Sequence, residues 1–178
     1  MADRVSTEAL DAAEACRLPL LLTAQTVSGD LENELNRQIN ERLNYLYTVS
    51  SQAGRRFAEL AVNGGLASIL EHAAVVLEKT VHWEDEGFTT LMAVPPPGQA
   101  LAFPPPQPPS AFRPDWRASG GHDGVQPVET AAGVDGYRRL VAPVMTGGQL
   151  RGYLSAVSRD SEFTDVDRAI VQRAAEAS

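Results

Sequence analysis

The residues in this chain that invite a chemical reading are its three histidines, His72, His82 and His122, its one cysteine, Cys16, and the glycine pair Gly147-Gly148. The histidines follow no metal-ligand spacing, and with a lone cysteine and no paired ligand motif no metal site is expected. Cys16 has no cysteine to pair with in the chain and no histidine close in sequence to activate it. A small residue packed in an Ala-rich helix is the plainer reading. Gly147-Gly148 is not followed by Lys or by a helix start, as a phosphate loop would require. It lies between two apolar runs, Tyr137–Val144 and Leu150–Val157, where glycines supply the positive φ values of a hairpin turn. No reactive constellation emerges, and the expectation is a protein that binds rather than catalyses, without cofactor or metal.

Composition narrows the partners. The 178 residues are 43% hydrophobic, enough for one core-bearing domain with an appendage. Net charge is −8, Lys79 is the one lysine, and the arginines are scattered among acids. Nucleic acid needs clustered cations on one face, so this segment is not expected to hold DNA by itself. Low lysine and abundant alanine resemble the usage of GC-rich bacterial genomes. No apolar run reaches the ~18 residues of a membrane helix, and the start lacks a secretory pattern. With a single cysteine, the chain reads as cytoplasmic.

The elements that must position any site follow from periodicity. Residues 6–17 form a short Ala-rich helix, and Leu18–Leu22 a buried strand. Between Asp30 and Val62, Leu31, Leu35, Ile39, Leu43, Leu46, Val49, Ala53, Phe57 and Leu60 recur at ~3.6 residues per step, the period of a straight helix. Such a rod is roughly 50 Å long. Its surplus apolar stripe needs a cover, either the amino-terminal piece or a second copy. A homodimer through Leu35, Ile39, Leu43 and Leu46 is the preferred arrangement. Asn63-Gly64-Gly65 ends the rod, and a second helix, Leu66–Glu78, buries Leu66, Ile69, Leu70, Ala73 and Leu77. Thr80–Glu84 and Phe88–Val94 read as strands around the turn Asp85-Glu86-Gly87. The proline-rich segment 95–114 reads as extended loop: a solvent-exposed insertion, a partner-docking segment or a lid. Val125–Thr130 is a weak strand candidate. Phe163-Thr164-Asp165-Val166-Asp167 opens a last helix, with Thr164 as N-cap and two acids in the first turn.

The closing hairpin and helix, with the wording "VAPV…GG…GYLS…FT..D", resemble the end of a GAF domain, and the helix–strand–turn–strand piece resembles its start. More narrowly, the chain is similar to the sensor region of PucR/CdaR-type transcription regulators, with the helix-then-"LPLLL" stretch similar to the tail of the preceding domain. The resemblance implies an α+β fold: a GAF-like antiparallel sheet flanked by helices and preceded by a long helix. It divides the chain into a remnant of an amino-terminal domain (1–29), a connecting and dimerisation helix (30–63) and a GAF-like sensor (64–178).

A GAF pocket lies between the sheet and the segments joining its middle strands. That regional match nominates Trp83, Met92, Phe112, Trp116, Tyr137, Arg139 and Tyr153 as ligand-binding residues. Each has a plain alternative, because strand alternation sends half of them to the core regardless, and Arg138 and Arg139 must point to opposite faces. GAF proteins that are reductases or carry tetrapyrroles use cysteines in the GAF core, which this sequence lacks, and the cyclic-nucleotide motif is missing too. The implied function is a ligand-sensing, dimerising regulatory fragment with an unidentified small-molecule effector. DNA would be contacted only through a helix-turn-helix outside this chain. The alternative is a pocketless oligomerisation scaffold.

Overall fold

The structure, a computed structural model, describes residues 11, 29–99, 127–130, 137–159 and 161–178. The readings at 6–17 and 18–22, most of the proline-rich segment, Phe112 and Trp116 lie outside these residues. The chain divides into two compact units, Met1–Leu43 and Asn44–Ser178.

Helix α1, Gly29–Asn63, contributes its first half to one unit and its second half to the other. In the first half Leu31, Leu35, Ile39 and Leu43 are all exposed, between 37% and 57%. The polar side of this stretch is held by local ion pairs from Arg37 to Glu34 and to Glu41, at 2.6 and 2.5 Å. Such exposed helical pairs are screened by solvent and add little to stability.

In the second unit the apolar period of α1 meets a core. Phe57 is buried, with Ala53, Leu60 and Ala61 packed beside it. The helix closes at Asn63, where the Gly64 N–H donates to the Leu60 carbonyl at 2.8 Å. Helix α2, Gly65–Leu77, begins immediately and buries Ile69, Leu70, Ala73, Ala74 and Leu77. That is the face expected from sequence, with Ala74 added and Leu66 only partly covered. Strands β1 (Thr80–Glu84), β2 (Thr90–Val94), β3 (Val128–Thr130), β4 (Arg138–Thr146) and β5 (Gln149–Ser158) follow, and helix α3 (Asp165–Ala177) ends the chain.

The five strands form one antiparallel sheet in the order β2-β1-β5-β4-β3. The early helix-and-hairpin piece and the late hairpin-and-helix piece therefore share a sheet, joined where β1 pairs with β5. Gly147 and Gly148 adopt φ of 59° and 78° at the tight turn. Thr164 caps α3: its hydroxyl accepts the Asp167 N–H, and the Asp167 carboxylate accepts the Thr164 N–H at 2.8 Å. Asp167 also faces Lys79 at 3.6 Å.

Alternation then sorts the sheet into two faces. Val81, Leu140, Ala142, Val144, Leu154 and Ala156 join the residues of α1, α2 and α3 in one apolar cluster. The intervening residues, His82, Glu84, Arg139, Val141, Tyr153 and Ser155, occupy the opposite face and are also buried. Pro143 sits in β4 without disrupting it. It lies opposite Tyr153 of β5, and the described part of β3 pairs with β4 only as far as Val141.

Gly152 is a position that only glycine can fill. Its φ is 146°, and a Cβ there would lie 2.1 Å from the Glu84 carbonyl oxygen. The close approach lets the end of β1 stay paired with β5 beside the irregularity between Val144 and Met145.

Candidate functional site

The face away from the helices carries a polar cluster drawn from three neighbouring strands. Arg139 of β4, Ser155 of β5 and Glu84 of β1 are 2%, 0% and 0% exposed. One Arg139 Nη donates both to Glu84 Oε1 and, at 2.9 Å, to Ser155 Oγ. Ser155 Oγ in turn donates to Glu84 Oε2 at 2.7 Å. A buried cation without a carboxylate would be costly, and Glu84 supplies the balancing charge. Burial pushes the Glu84 carboxyl above its ordinary range, while Arg139 and Ser155 pull it back.

His82 stands in the same row as Ser155, with Ala93 on its other side in β2. It is 1% exposed, and its pKa falls to about 4, first because burial penalises the imidazolium and then because Arg139 repels it. The ring is thus neutral at physiological pH. Its Nδ1 is buried and has no hydrogen-bond partner among the described residues, and the same holds for Thr90 Oγ1, from the residue opposite Glu84.

An aromatic wall closes one end. Asp85 folds the β1–β2 turn by accepting the Gly87 and Thr89 N–H groups, each at 2.8 Å. That turn holds Phe88 at φ 63°, an uncommon conformation for a residue with a side chain. The Phe88 ring stacks on Tyr153 at 4.1 Å, with 5° between planes, and its centroid lies 6.0 Å from the Arg139 guanidinium carbon. Strain of this kind persists only where surrounding contacts enforce it.

The residues nominated from sequence separate accordingly. Arg139 and Tyr153 come together on this face. Tyr137, two residues before Arg139, falls on the same side by alternation, and Arg159 lies over its ring at 5.7 Å. Trp83 and Met92 do not join them: they are register partners, and Trp83 packs against the helix-side core. Their place in a shared pocket is corrected by the strand parity, which sends residues 82 and 84 one way and 83 the other. Arg138 faces away from Arg139, as alternation requires, and pairs with Glu129 and Glu162 at 3.3 and 3.2 Å. The residues that sequence reasoning missed are Glu84, His82, Ser155 and Phe88. The available signal was two ionisable side chains at alternate positions of an otherwise apolar strand.

A concavity lies on the helical side, an open groove of about 240 Å³ lined by Val49, Gln52, Ala53, Arg56, Phe57, His72, Val76 and Ile170. His72 meets Phe57 edge-on at 5.5 Å, and its pKa is lowered by partial burial and then by Arg56. Of the helix residues nominated for dimerisation, Leu35, Ile39 and Leu43 are exposed, whereas Leu46 is half-buried.

Among the described residues no group of three or more His, Cys, Asp or Glu side chains could hold a metal ion, and no helix is long and apolar enough to cross a membrane. The chain matches no protein-family model, no curated protein and no solved structure.

Proposed function

We propose that this chain is the sensing and dimerising part of a GAF-like transcription regulator of the PucR/CdaR type, with a small-molecule effector held on the helix-free face of the sheet. The observation that carries the reading is the buried Arg139–Glu84–Ser155 cluster beside His82. Buried polar groups are costly, and a fold that needed only a scaffold could fill this face with apolar side chains. A mostly apolar recess with a few directed polar groups is also what recognition of a small ligand requires. An effector that favours one arrangement of sheet over helices would pass its preference to α1 and α3, provided it binds the two arrangements unequally. DNA contact would belong to a segment outside these residues, in keeping with the net charge of −8.

The exposed stripe Leu31, Leu35, Ile39 and Leu43 supports self-association through α1. A bare apolar row on a long helix is rarely left in water.

One observation favours the scaffold alternative. The cluster residues hydrogen-bond to one another, and Phe88 lies flat on Tyr153, so this face is already filled where those side chains meet. A thermal-shift screen over purines, sugar acids and other metabolites separates the two. A compound that raises the melting temperature in the parent but not in Ser155→Val supports sensing. Silence across the set supports the scaffold.

A further inference from the structure

The groove on the helical side has an apolar length and a basic end. Phe57 and Ile170, 1% and 2% exposed, form its floor, and Val76 of α2 stands at the rim with 46% exposure. Val49, Ala53 and Phe57 follow one another at helical spacing on α1, a row about 12 Å long. A volume of about 240 Å³ with this elongated outline suits an aliphatic chain. The polar groups gather at the Phe57 end. His72 meets Phe57 edge-on at 5.5 Å, and Arg56 is near enough to disfavour its imidazolium. Arg56 from α1 and His72 from α2 are the charged or titratable groups of the lining, to which α3 contributes Ile170. In a chain of net charge −8, the groove therefore presents a cation and, among the described residues, no carboxylate in its lining. Glu59 accepts from Arg56 Nη1 at 3.1 Å just outside it, but both side chains are more than half exposed, and such a pair yields readily to a competing anion.

We propose that this groove binds a straight-chain aliphatic monocarboxylate, its chain laid along Val49, Ala53 and Phe57 and its carboxylate on the Arg56 guanidinium beside His72. The guanidinium fork matches a carboxylate, and Gln52, one turn before Arg56 in the same lining, offers a further amide donor. Burial of methylenes supplies most of the affinity, and the charge fixes which end lies where. A second copy of the chain fits this groove less well. A two-fold contact sets the same patch against itself, so two basic linings would meet without a carboxylate between them. The groove lies on the other side of the sheet from the Arg139–Glu84–Ser155 cluster, and the inference does not rest on the sensing reading of that face.

Octanoate, hexanoate and hexanamide are the probes. Each is titrated to about 10 mM into the full chain, with the His72 ring and the backbone amides followed by NMR; ligands of this size bind in the millimolar range. Octanoate is expected to move the amides of Ala53 and Val76 and to raise the His72 pKa, because a bound anion offsets the repulsion from Arg56. Hexanoate should bind more weakly, by about two- to fourfold for each methylene removed, and hexanamide more weakly again, by about threefold or more. Arg56→Gln should weaken octanoate by a similar factor, whereas Glu59→Gln frees the guanidinium and should tighten it by about twofold or more. Both positions are exposed, so both variants should fold as the parent does. Opposite effects of the two are not expected if Arg56 merely supports the helix. Hexanamide binding as well as hexanoate overturns the proposal, as do unchanged affinities in both variants, or no response to octanoate. Val76→Asp identifies the other occupant: if it halves the mass seen by light scattering while octanoate leaves His72 unmoved, a second copy fills the groove and the proposal fails. None of these results bears on an effector at the opposite sheet face.

Discussion

Arg139 and Glu84 form a buried ion pair across 55 residues of sequence, one from the closing hairpin and the other from the first strand of the sheet. The pair joins the two pieces of the fold on the sheet face opposite α2 and α3. Glu84→Ala strands the guanidinium and is expected to cost about 3–5 kcal/mol in urea unfolding. Glu84→Leu combined with Arg139→Met removes both charges and is expected to recover most of that loss. A cost below about 1 kcal/mol for Glu84→Ala would mean that the pair does not hold the strands together.

His82 gives the protein an acid-sensitive component. Its folded pKa is about 4 against an ordinary 6.5, so between those values the unfolded chain binds more protons than the folded one. Stability contributed by the neutral ring is present above pH 6.5 and is lost as the pH falls towards 4, by about 3 kcal/mol at most. Glu84 acts in the opposite sense, because its raised pKa takes stability away as the pH rises through it. The comparison to make is therefore parent against His82→Gln across pH 4–7. The parent should lose more stability on acidification, and parallel curves would contradict a buried neutral imidazole.

Gly152→Ala should be among the most damaging single substitutions outside the apolar core. The added methyl would collide with the Glu84 carbonyl at a φ that alanine avoids. A loss above about 3 kcal/mol is expected, measured by thermal denaturation.

Thr164→Ala removes one half of the capping box on α3 and is expected to cost about 1 kcal/mol. Thr164→Ser should recover most of it in the same melt.

Self-association through α1 is checked by light scattering on Ile39→Asp and Leu43→Asp. Both positions are exposed, so the fold itself should lose less than about 0.5 kcal/mol. The parent is expected at twice the 19.1 kDa chain mass and the variants at that mass. Unchanged masses would remove α1 as the interface.

The parts of this fold legible in the sequence are those governed by local rules. Gly147-Gly148 and Thr164 announce a turn and a cap whose geometry depends on a few adjacent residues. The nine-position stripe of α1 shows its period without help from any partner. Trp83 and His82 differ in kind: which of them faces the helices is decided by pairing with Leu154 and Ser155, more than seventy residues later. The same holds for Glu84, an exposed-looking acid until Arg139 arrives beside it. Phe88 owes its place over Tyr153 to a turn built on the Asp85 side chain, which a strand reading of Phe88–Val94 overlooks.

The most direct test is chemical-shift mapping on the full chain with whichever metabolite raises its melting temperature most. If the helix-free face of the sheet is the sensor site, the perturbed amides will centre on Arg139, Ser155 and His82. Perturbations confined to the groove around Val49, Phe57 and Val76, or a metabolite set that leaves the melting temperature unchanged throughout, would contradict it.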